Sequence, residues 1–524
     1  MGKLVRASDF RVTGWDRFIL RLFPGWGRRR LQARAAAFSL QRHFDATASS
    51  HRTAHWQRRS TDANAAAAAS LVQLRELSRD LRRNNGWARR GIGVIATNTV
   101  GRGIQPKPVG AGLGEDQKRE ALELWNAWGQ DVACDFDGRL PFSGLQDLVM
   151  QTVVESGECL VCREPTNSAE GLAIPLRIRV LEPDYLDVAR DGQLDNGGQV
   201  IAGVEFDQRG RRVAYWLYED HPGGRMRMST RFASRRVAAA DVLHIYRVER
   251  PGQVRGIPWL CAAIAKLHDF DDYDDARLMQ AKIAACFAAF VTDVDGDSKP
   301  LGEEDPDNAK LEELQPGHIS YLAGGRDVTV ATPPSTGDHS GFTETQLRRI
   351  AVSLDVTYED LTADYSRVNF SSARMARLSH YGSVHKWRHH MLIPQFCAGV
   401  WRWAMQLASA VHGWRATPSA LWQPPPLPFL EPDKEGLAYQ RLIRTGVMSA
   451  PDAIRERGND PQQQLDEIAA WNKQLDELGI VLDSDPRRTS STGQAQGAGA
   501  AGAAGGSDTD DEKTADDATP SGDE

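Results

Sequence analysis

The sequence predicts a mainly helical α+β protein, and three features of the chain carry that prediction. A run from Trp259 to Thr292 contains no Gly or Pro after Pro258 and reads as one helix. At about 1.5 Å per residue it would be a rod of about 50 Å, longer than the roughly 8 to 20 residues usual in a globular helix. Short apolar segments of strand character recur between Cys159 and Tyr246, and a second long helix-forming stretch spans Ser372 to Val411.

Taken in order, residues 1–60 form an arginine-rich arm, and the alanine-rich Asp62 to Asn84 is helical. Gly91 to Val100 and Gln117 to Trp128 read as helices separated by the glycine-rich Gly101 to Gly114, and Phe142 to Ser156 as a further helix. Strands are expected at Cys159 to Arg163, Leu176 to Leu181, Gln199 to Phe206, Val213 to Tyr218 and Val242 to Tyr246. Beyond the long helix, Asp293 to Gly341 is polar and rich in Pro, Gly and acid, with strands expected at His318 to Leu322 and Asp327 to Thr332. Thr343 to Leu354 is a helix, and Tyr358 to Phe370 leads into the long stretch from Ser372. After Pro424-Pro425-Pro426, small helices are expected at Lys434 to Gly446, Ala450 to Arg457 and Pro461 to Leu478. From Ser484 onward too little apolar surface remains to offset chain entropy, which predicts a disordered acidic tail.

A chain of 524 residues that is 41% hydrophobic and 25% charged can bury a large core and divide into several units. No apolar run approaches the roughly 18 residues that cross a bilayer; the longest is Ile283 to Val291, so no membrane partner is expected. The N-terminal residues lack the apolar core of a secretion signal, and Arg6 breaks the myristoylation pattern, which predicts synthesis in the cytosol. The net charge of -7 hides an uneven spread. Met1 to Gly110 carries 21 Lys and Arg against 6 acids, whereas Ala111 to Leu430 carries 33 against 44 and the remainder 9 against 20. The basic arm, with Trp15, Phe18, Phe23 and Trp26, suits either nucleic acid, an acidic protein surface or simple solvation.

Catalytic signatures are weak. There is no Gly-x-x-x-x-Gly-Lys-Ser/Thr phosphate loop and no Gly-x-Ser-x-Gly elbow. Cys159 and Cys162 form a lone Cys-x-x-Cys in a strand, which favours a structural role over redox chemistry or half a zinc site. Glu182-Pro183-Asp184 lacks a downstream Glu-x-Lys partner for a metal nuclease. His385 and His389 share a helical face, but Lys386 stands where a zinc protease has glutamate. No catalytic residue, metal or cofactor is expected.

The ordered elements His244-Ile245-Tyr246, Arg250 to Pro258 (Arg-Pro-Gly-Gln-Val-Arg-Gly-Ile-Pro), Tyr273 to Ala276 and Ala281 to Ala285 resemble the portal protein family of lambda-type tailed bacteriophages. Gly203 to Asp207, Gly210 to Tyr215 and His221-Pro222 resemble its strand-rich segment, and Asn369 to Arg374 its asparagine-aromatic-Ser-Ser-Ala-Arg element. Arg82 to Asn85, Asn98 to Ile104, Gly446 to Ser449 and Gly458 to Asp460 extend the likeness over about residues 50 to 480.

The resemblance implies a wing over 61–258, a stem helix over 259–292, a clip over 293–341, a second stem helix over 342–357, a tunnel loop over 358–371, a long helix over 372–423 and a crown over 424–483. It further implies a dodecameric ring at the unique capsid vertex, in the virion after assembly in the host cytoplasm. Double-stranded DNA would pass through it, bound without sequence preference. The implied partners are the terminase large subunit, a head-completion connector protein, and major capsid and scaffold proteins. Because each Lys or Arg on a phosphate adds affinity, a channel that lets DNA slide should be acidic. Asp269, Asp271, Asp272, Asp274 and Asp275 in the long helix are therefore the channel candidates, with a merely solvated face as the competing reading. Tyr365, Arg367 and Asn369 are the tunnel-loop candidates. Asp293, Asp295, Asp297, Glu303, Glu304 and Asp305 are the candidates for docking terminase. Arg250, Gly252, Gln253, Arg255, Gly256, Ser371, Ser372 and Arg374 belong to the family motifs and are expected to be structural, while Arg374 and Arg377 could pair with Glu359, Asp360 and Asp364 within or between chains.

Overall fold

A computed structural model describes residues 61–110, 113–166, 170–224, 233–285, 289–293, 326–330, 339–426, 429, 431–482, 485 and 487. The chain divides into two compact units. The smaller comprises residues 1–69 and Arg250–Gln253. Its helix α1 (Ala63–Ala68) begins at Asp62, whose side chain accepts from the Ala65 amide at 2.9 Å. Arg250 donates to the Thr61 carbonyl at 3.0 Å and Asn64 to the Gly252 carbonyl at 3.0 Å. Gly252 has φ +78°, a conformation that glycine adopts at no steric cost.

The larger unit starts with α2 (Leu71–Asn84) and α3 (Gly86–Val100), joined at Asn85, whose side chain caps α3 by accepting from the Ala88 amide at 2.8 Å. Next come β1 (Gln105–Val109), α4 (Glu115–Gln130), α5 (Phe142–Ser156), β2 (Glu158–Pro165) and β3 (Leu176–Leu181). Strands β4 (Gly192–Gln193), β5 (Gln199–Ile201), β6 (Val204–Phe206), β7 (Arg212–Leu217) and β8 (Arg235–Ala238) form an antiparallel five-stranded sheet in sequence order. Strand β9 (Val242–Tyr246) instead joins β2 and β3 in a three-stranded antiparallel sheet of order β3-β2-β9.

Alternation along β2 divides the unit into two cores. Cys159 and Val161 point into a large helical core, while Leu160 and Cys162 point into a smaller one shared with Val204, Phe206, Tyr215 and Leu217 of the five-stranded sheet. A strand buried on both faces is apolar throughout, as Cys159 to Cys162 are. Both thiols are buried and free, and burial raises both, Cys162 to about 12, so neither is poised as a thiolate.

The long helix is shorter than its sequence predicts. Trp259–Ala262 forms a single 3₁₀ turn, and α6 spans Ile264–Ala285, about 33 Å by its rise. Ala289–Asp293 is strand β10, paired antiparallel with β11 (Arg326–Val330). Phe290, Val291 and Thr292 are aromatic or β-branched and pair with Thr329, Val328 and Asp327, so strand propensity and an available partner override helical continuation. The expected strand at His318 to Leu322 lies outside the described residues, as do the arm 1–60 and most of the tail. Gln199 to Phe206 is a hairpin rather than one strand, because Ala202 and Gly203 both take positive φ (47° and 84°) in a two-residue turn.

Helix α7 (His339–Ser353) returns beside α6 and leads to the short α8 (Tyr358–Thr362). The expected long helix is continuous, but composite: α9 (Phe370–Trp387), a ten-residue π-helix (Arg388–Cys397), then α10 (Ala398–His412). Pro394 lies inside the π segment, where the widened turn accommodates its missing donor. Arg388 caps the end of α3, donating to the Thr99 and Asn98 carbonyls at 2.7 and 2.8 Å. Strand β12 (Ser419–Gln423) pairs with β1, two strands that the glycine and proline content of these segments concealed. The C-terminal end of the described residues holds α11 (Pro432–Arg444), α12 (Ala450–Glu456) and α13 (Pro461–Leu478).

An aromatic cluster holds the helical core together. The Trp125 ring lies 5.1 Å from Trp128, 4.9 Å from Phe142 and 5.0 Å from Trp401. Trp128 and Trp401 each satisfy their indole N–H on a backbone carbonyl at 2.8 Å. Trp125→Ala is expected to cost about 3–5 kcal/mol in denaturant unfolding, whereas truncation of the exposed Val248 should stay within about 0.5 kcal/mol.

Candidate functional site

The motif Arg255-Gly256 closes on a fully buried carboxylate, Glu158, at the start of β2. Arg255 donates from Nε at 2.9 Å and from Nη2 at 2.5 Å, the Gly256 amide donates at 2.8 Å, and His244 Nε2 lies at 2.9 Å. Arg75 of α2, also buried, stands 3.7 Å away. Burial pushes the Glu158 carboxyl up, but the Arg255 charge and the hydrogen bonds from His244 and Arg255 override it and hold it below the usual range. Burial lowers His244, whose neutral ring donates from Nε2 and leaves Nδ1 as an unpartnered acceptor. A Cβ at residue 256 would meet the Gly157 carbonyl oxygen at 2.2 Å, and one at residue 157, where φ is +88°, would meet the Ile257 carbonyl carbon at 2.4 Å. The two glycines thus let the chains approach closely enough for the Gly256 amide to reach Glu158. In the smaller unit, Arg250 and Gln253 are joined through a 3.2 Å bond from the Arg250 amide to Gln253 Oε1.

The channel candidates separate into two groups. Asp271 is half-buried and accepts two 2.8 Å hydrogen bonds from the Asn85 side chain, so it ties α6 to the corner between α2 and α3. Asp274 is also half-buried, and burial together with Asp271 and Asp275 raises its carboxyl despite His339. Asp269, Asp272 and Asp275 remain exposed, a division that the shared i,i+4 position of Asp271 and Asp275 did not reveal. At the loop before α9, Tyr365 is exposed and Arg367 pairs with Glu344 of α7 at 2.8 Å. Asn369 and Ser372 form a reciprocal capping box, with Asn369 Oδ1 accepting from the Ser372 amide at 2.8 Å and Ser372 Oγ from the Asn369 amide at 3.2 Å. Ser371 is exposed, and Arg374 stands 4.0 Å from Glu431 rather than against Glu359, Asp360 or Asp364. Tyr365, Glu359, Asp360, Arg374 and Arg377 line one cleft of about 280 Å³. Of the clip carboxylates, Asp293 is in β10, while Asp295, Asp297, Glu303, Glu304 and Asp305 lie outside the described residues.

Two constellations invite a metal reading. Glu182, Asp184 and His221 converge, but Arg79 already bridges both carboxylates at 3.0 and 2.5 Å. His221 Nδ1 accepts from the Gly223 amide at 3.0 Å, which places its proton on Nε2, the atom facing Glu182 at 3.2 Å. A cation there would have to displace an arginine and invert a tautomer. His385 and His389 stack with ring centroids 4.1 Å apart; burial and neighbouring cationic groups lower His389. Sequence reading passed over Glu158 and Arg75 as site residues. The available signal was a carboxylate placed between a helix-ending glycine and the apolar run Cys159 to Cys162.

Residues 49–388 match the family described as "Phage portal protein, lambda family". The chain is 28% identical over 428 residues to the "Probable portal protein" of Halomonas phage phiHAP-1, covering 78% of this chain and 81% of that protein. It is 22% identical over 352 residues to "Portal protein B" of Escherichia phage lambda, covering 61% of this chain and 66% of that protein. Among solved structures it is similar to the chain titled "Neck of empty GTA particle computed with C6 symmetry", at 17% identity and a TM-score of 0.45, over 75% of this chain and 94% of that chain.

Glu158→Gln leaves Arg255 and Arg75 buried without their counter-charge and should cost about 3–5 kcal/mol by denaturant unfolding. The pH dependence follows from the same groups. His244 is lowered in the folded state, so stability declines as pH falls below about 6.5, where the unfolded imidazole takes a proton first. Glu158 is lowered too, so its contribution is complete above about pH 4.3 and is lost as pH falls from there. His244→Gln should remove the first decline and retain the second when unfolding midpoints are followed against pH.

Proposed function

The chain belongs to the lambda family of phage portal proteins, and from that premise we propose that it forms a dodecameric ring at the unique vertex of a phage capsid, through which double-stranded DNA enters during packaging and leaves during ejection. The match across residues 49–388 carries this reading. The family is structural rather than enzymatic, so the work on DNA belongs to a separate motor, the terminase large subunit, docked on the ring. A head-completion connector protein takes that position after filling, and major capsid and scaffold proteins surround the ring. The chain is accordingly a virion component assembled in the host cytoplasm.

The exposed acids of α6 support the channel reading. Asp269, Asp272 and Asp275 present carboxylates on a face that its own chain leaves open. Facing the bore, they repel phosphate and release no counterions on contact, which keeps DNA free to move. Asp271 and Asp274 act as docking groups for α6 instead. Tyr365, Arg367 and Asn369 shape the loop that borders the bore, with Arg367 anchoring it to α7 and Asn369 starting α9. The carboxylates Asp293, Asp295, Asp297, Glu303, Glu304 and Asp305 form the terminase-docking end.

Negative-stain microscopy of the purified chain should show rings with an axial hole, and monomers or compact small oligomers would exclude the reading. Replacing Asp269, Asp272 and Asp275 together by Lys should leave ring formation intact and lower packaged DNA at least tenfold, read as nuclease-protected genome. Wild-type packaging by that triple variant would remove these residues from the channel.

A further inference from the structure

The three C-terminal helices have almost no core of their own. Among the described residues α11 buries no side chain, α12 buries Ala453, and α13 buries Pro461 and Leu475. Yet both longer helices are amphipathic. Leu437, Leu442, Ile443 and the following Val447 are exposed on α11, and Leu465, Ile468, Trp471 and Leu478 are exposed on α13, with Trp471 at 55% and Val447 at 76%. A 13-residue helix with no buried face is marginal in water, because most helical stability in proteins comes from packing such a face. Large apolar residues grouped on adjoining turns mark a surface that another surface covers.

The charges beside these faces indicate what covers them. Arg441 and Arg444, in the last turn of α11, have no carboxylate partner among the described residues. On α13, among the described residues, Asp466 and Glu467 accept from Gln462 and Gln463 of their own helix, at 3.2 and 2.9 Å, and Glu477 reaches Lys473, at 4.0 Å. Among the described residues, one helix thus offers exposed apolar residues and two bases without a carboxylate partner, and the other exposed apolar residues and acids without a strong basic partner. Resting on the ring reading above, we propose that α11 of one copy packs against α13 of the next, burying both faces and pairing Arg441 and Arg444 with the acids of α13. The contact is heterologous, each copy using a different face on either side, which is the interface type that closes into rings.

Two chains with one introduced cysteine each, Ile443→Cys and Ile468→Cys, both also carrying Cys261→Ser and Cys286→Ser and keeping the buried Cys134, Cys159, Cys162 and Cys397, would be co-assembled and treated with a short bismaleimide. The same sample would be imaged by negative stain. Mixed rings should yield a cross-link between the two variant chains at least tenfold above that from either variant alone. A charge swap gives a second test. Arg444→Glu and Glu467→Arg should each lower the ring fraction at low salt several-fold, and the double variant should regain most of it. Rings without the mixed cross-link, or with no response to the charge changes, would overturn the contact while leaving the ring intact and would assign these faces to a different protein. Absence of rings from unmodified chain would instead count against the ring reading, and a mixed cross-link in such a sample would preserve the helix pairing alone.

Discussion

The large unit depends on a three-stranded sheet buried on both faces and on the single carboxylate at its corner. Strand β2 faces the helical core with Cys159 and Val161 and the five-stranded sheet with Leu160 and Cys162. A charge there is costly unless fully paired. Glu158 is paired by Arg255, His244 and the Gly256 amide, with Arg75 nearby. Those groups come from the strand β9, the segment after the smaller unit's Arg250–Gln253, and the helix α2, which makes Glu158 the point at which distant parts of the sequence are held in register. The requirement for glycine at positions 157 and 256 follows from the same approach. A wrong pairing would bury an ion without its partner, so this network selects one arrangement more than it adds net stability.

Legibility followed whether the controlling signal was local. α5, β3, β9 and α13 coincide with their sequence boundaries because the periodic residues and the stop signals agree: Gly157 after α5, Asp460 and Pro461 before α13, Gly479 after it. The capping box of Asn369 and Ser372 is likewise local. β1 and β12 were not legible, since a Pro-rich strand gains its state from a partner more than 300 residues away in sequence. The end of α6 failed for the same reason, because the apolar residues after Ala285 fit either state until β11 supplies a partner. The site was half legible. Arg255 and Gly256 stood out by motif, whereas Glu158 and Arg75 acquire their roles only when α2, β2 and the motif meet. Asp271 appeared equivalent to its neighbours until Asn85 engaged it.

The contrast between the middle and the end of the chain has a physical meaning within the proposed ring. The middle holds two cores, a buried ion network around Glu158 and the Trp128 and Trp401 indole N–H groups satisfied on carbonyls. The C-terminal helices are internally incomplete, with apolar residues and charges that no other described residue covers. A closed ring needs both properties. A rigid body fixes the rotation from one copy to the next, and unsatisfied surfaces supply the affinity, so errors in rotation accumulate less when the core that carries those surfaces cannot deform. The exposed aspartates of α6 impose an opposing condition. In the proposed channel these like charges would be brought together around a bore and would repel, and contacts elsewhere in the ring would have to offset that repulsion. Apolar burial is insensitive to the salt and DNA charge that screen or add to this repulsion, which makes the C-terminal helices a suitable place for the compensating contacts.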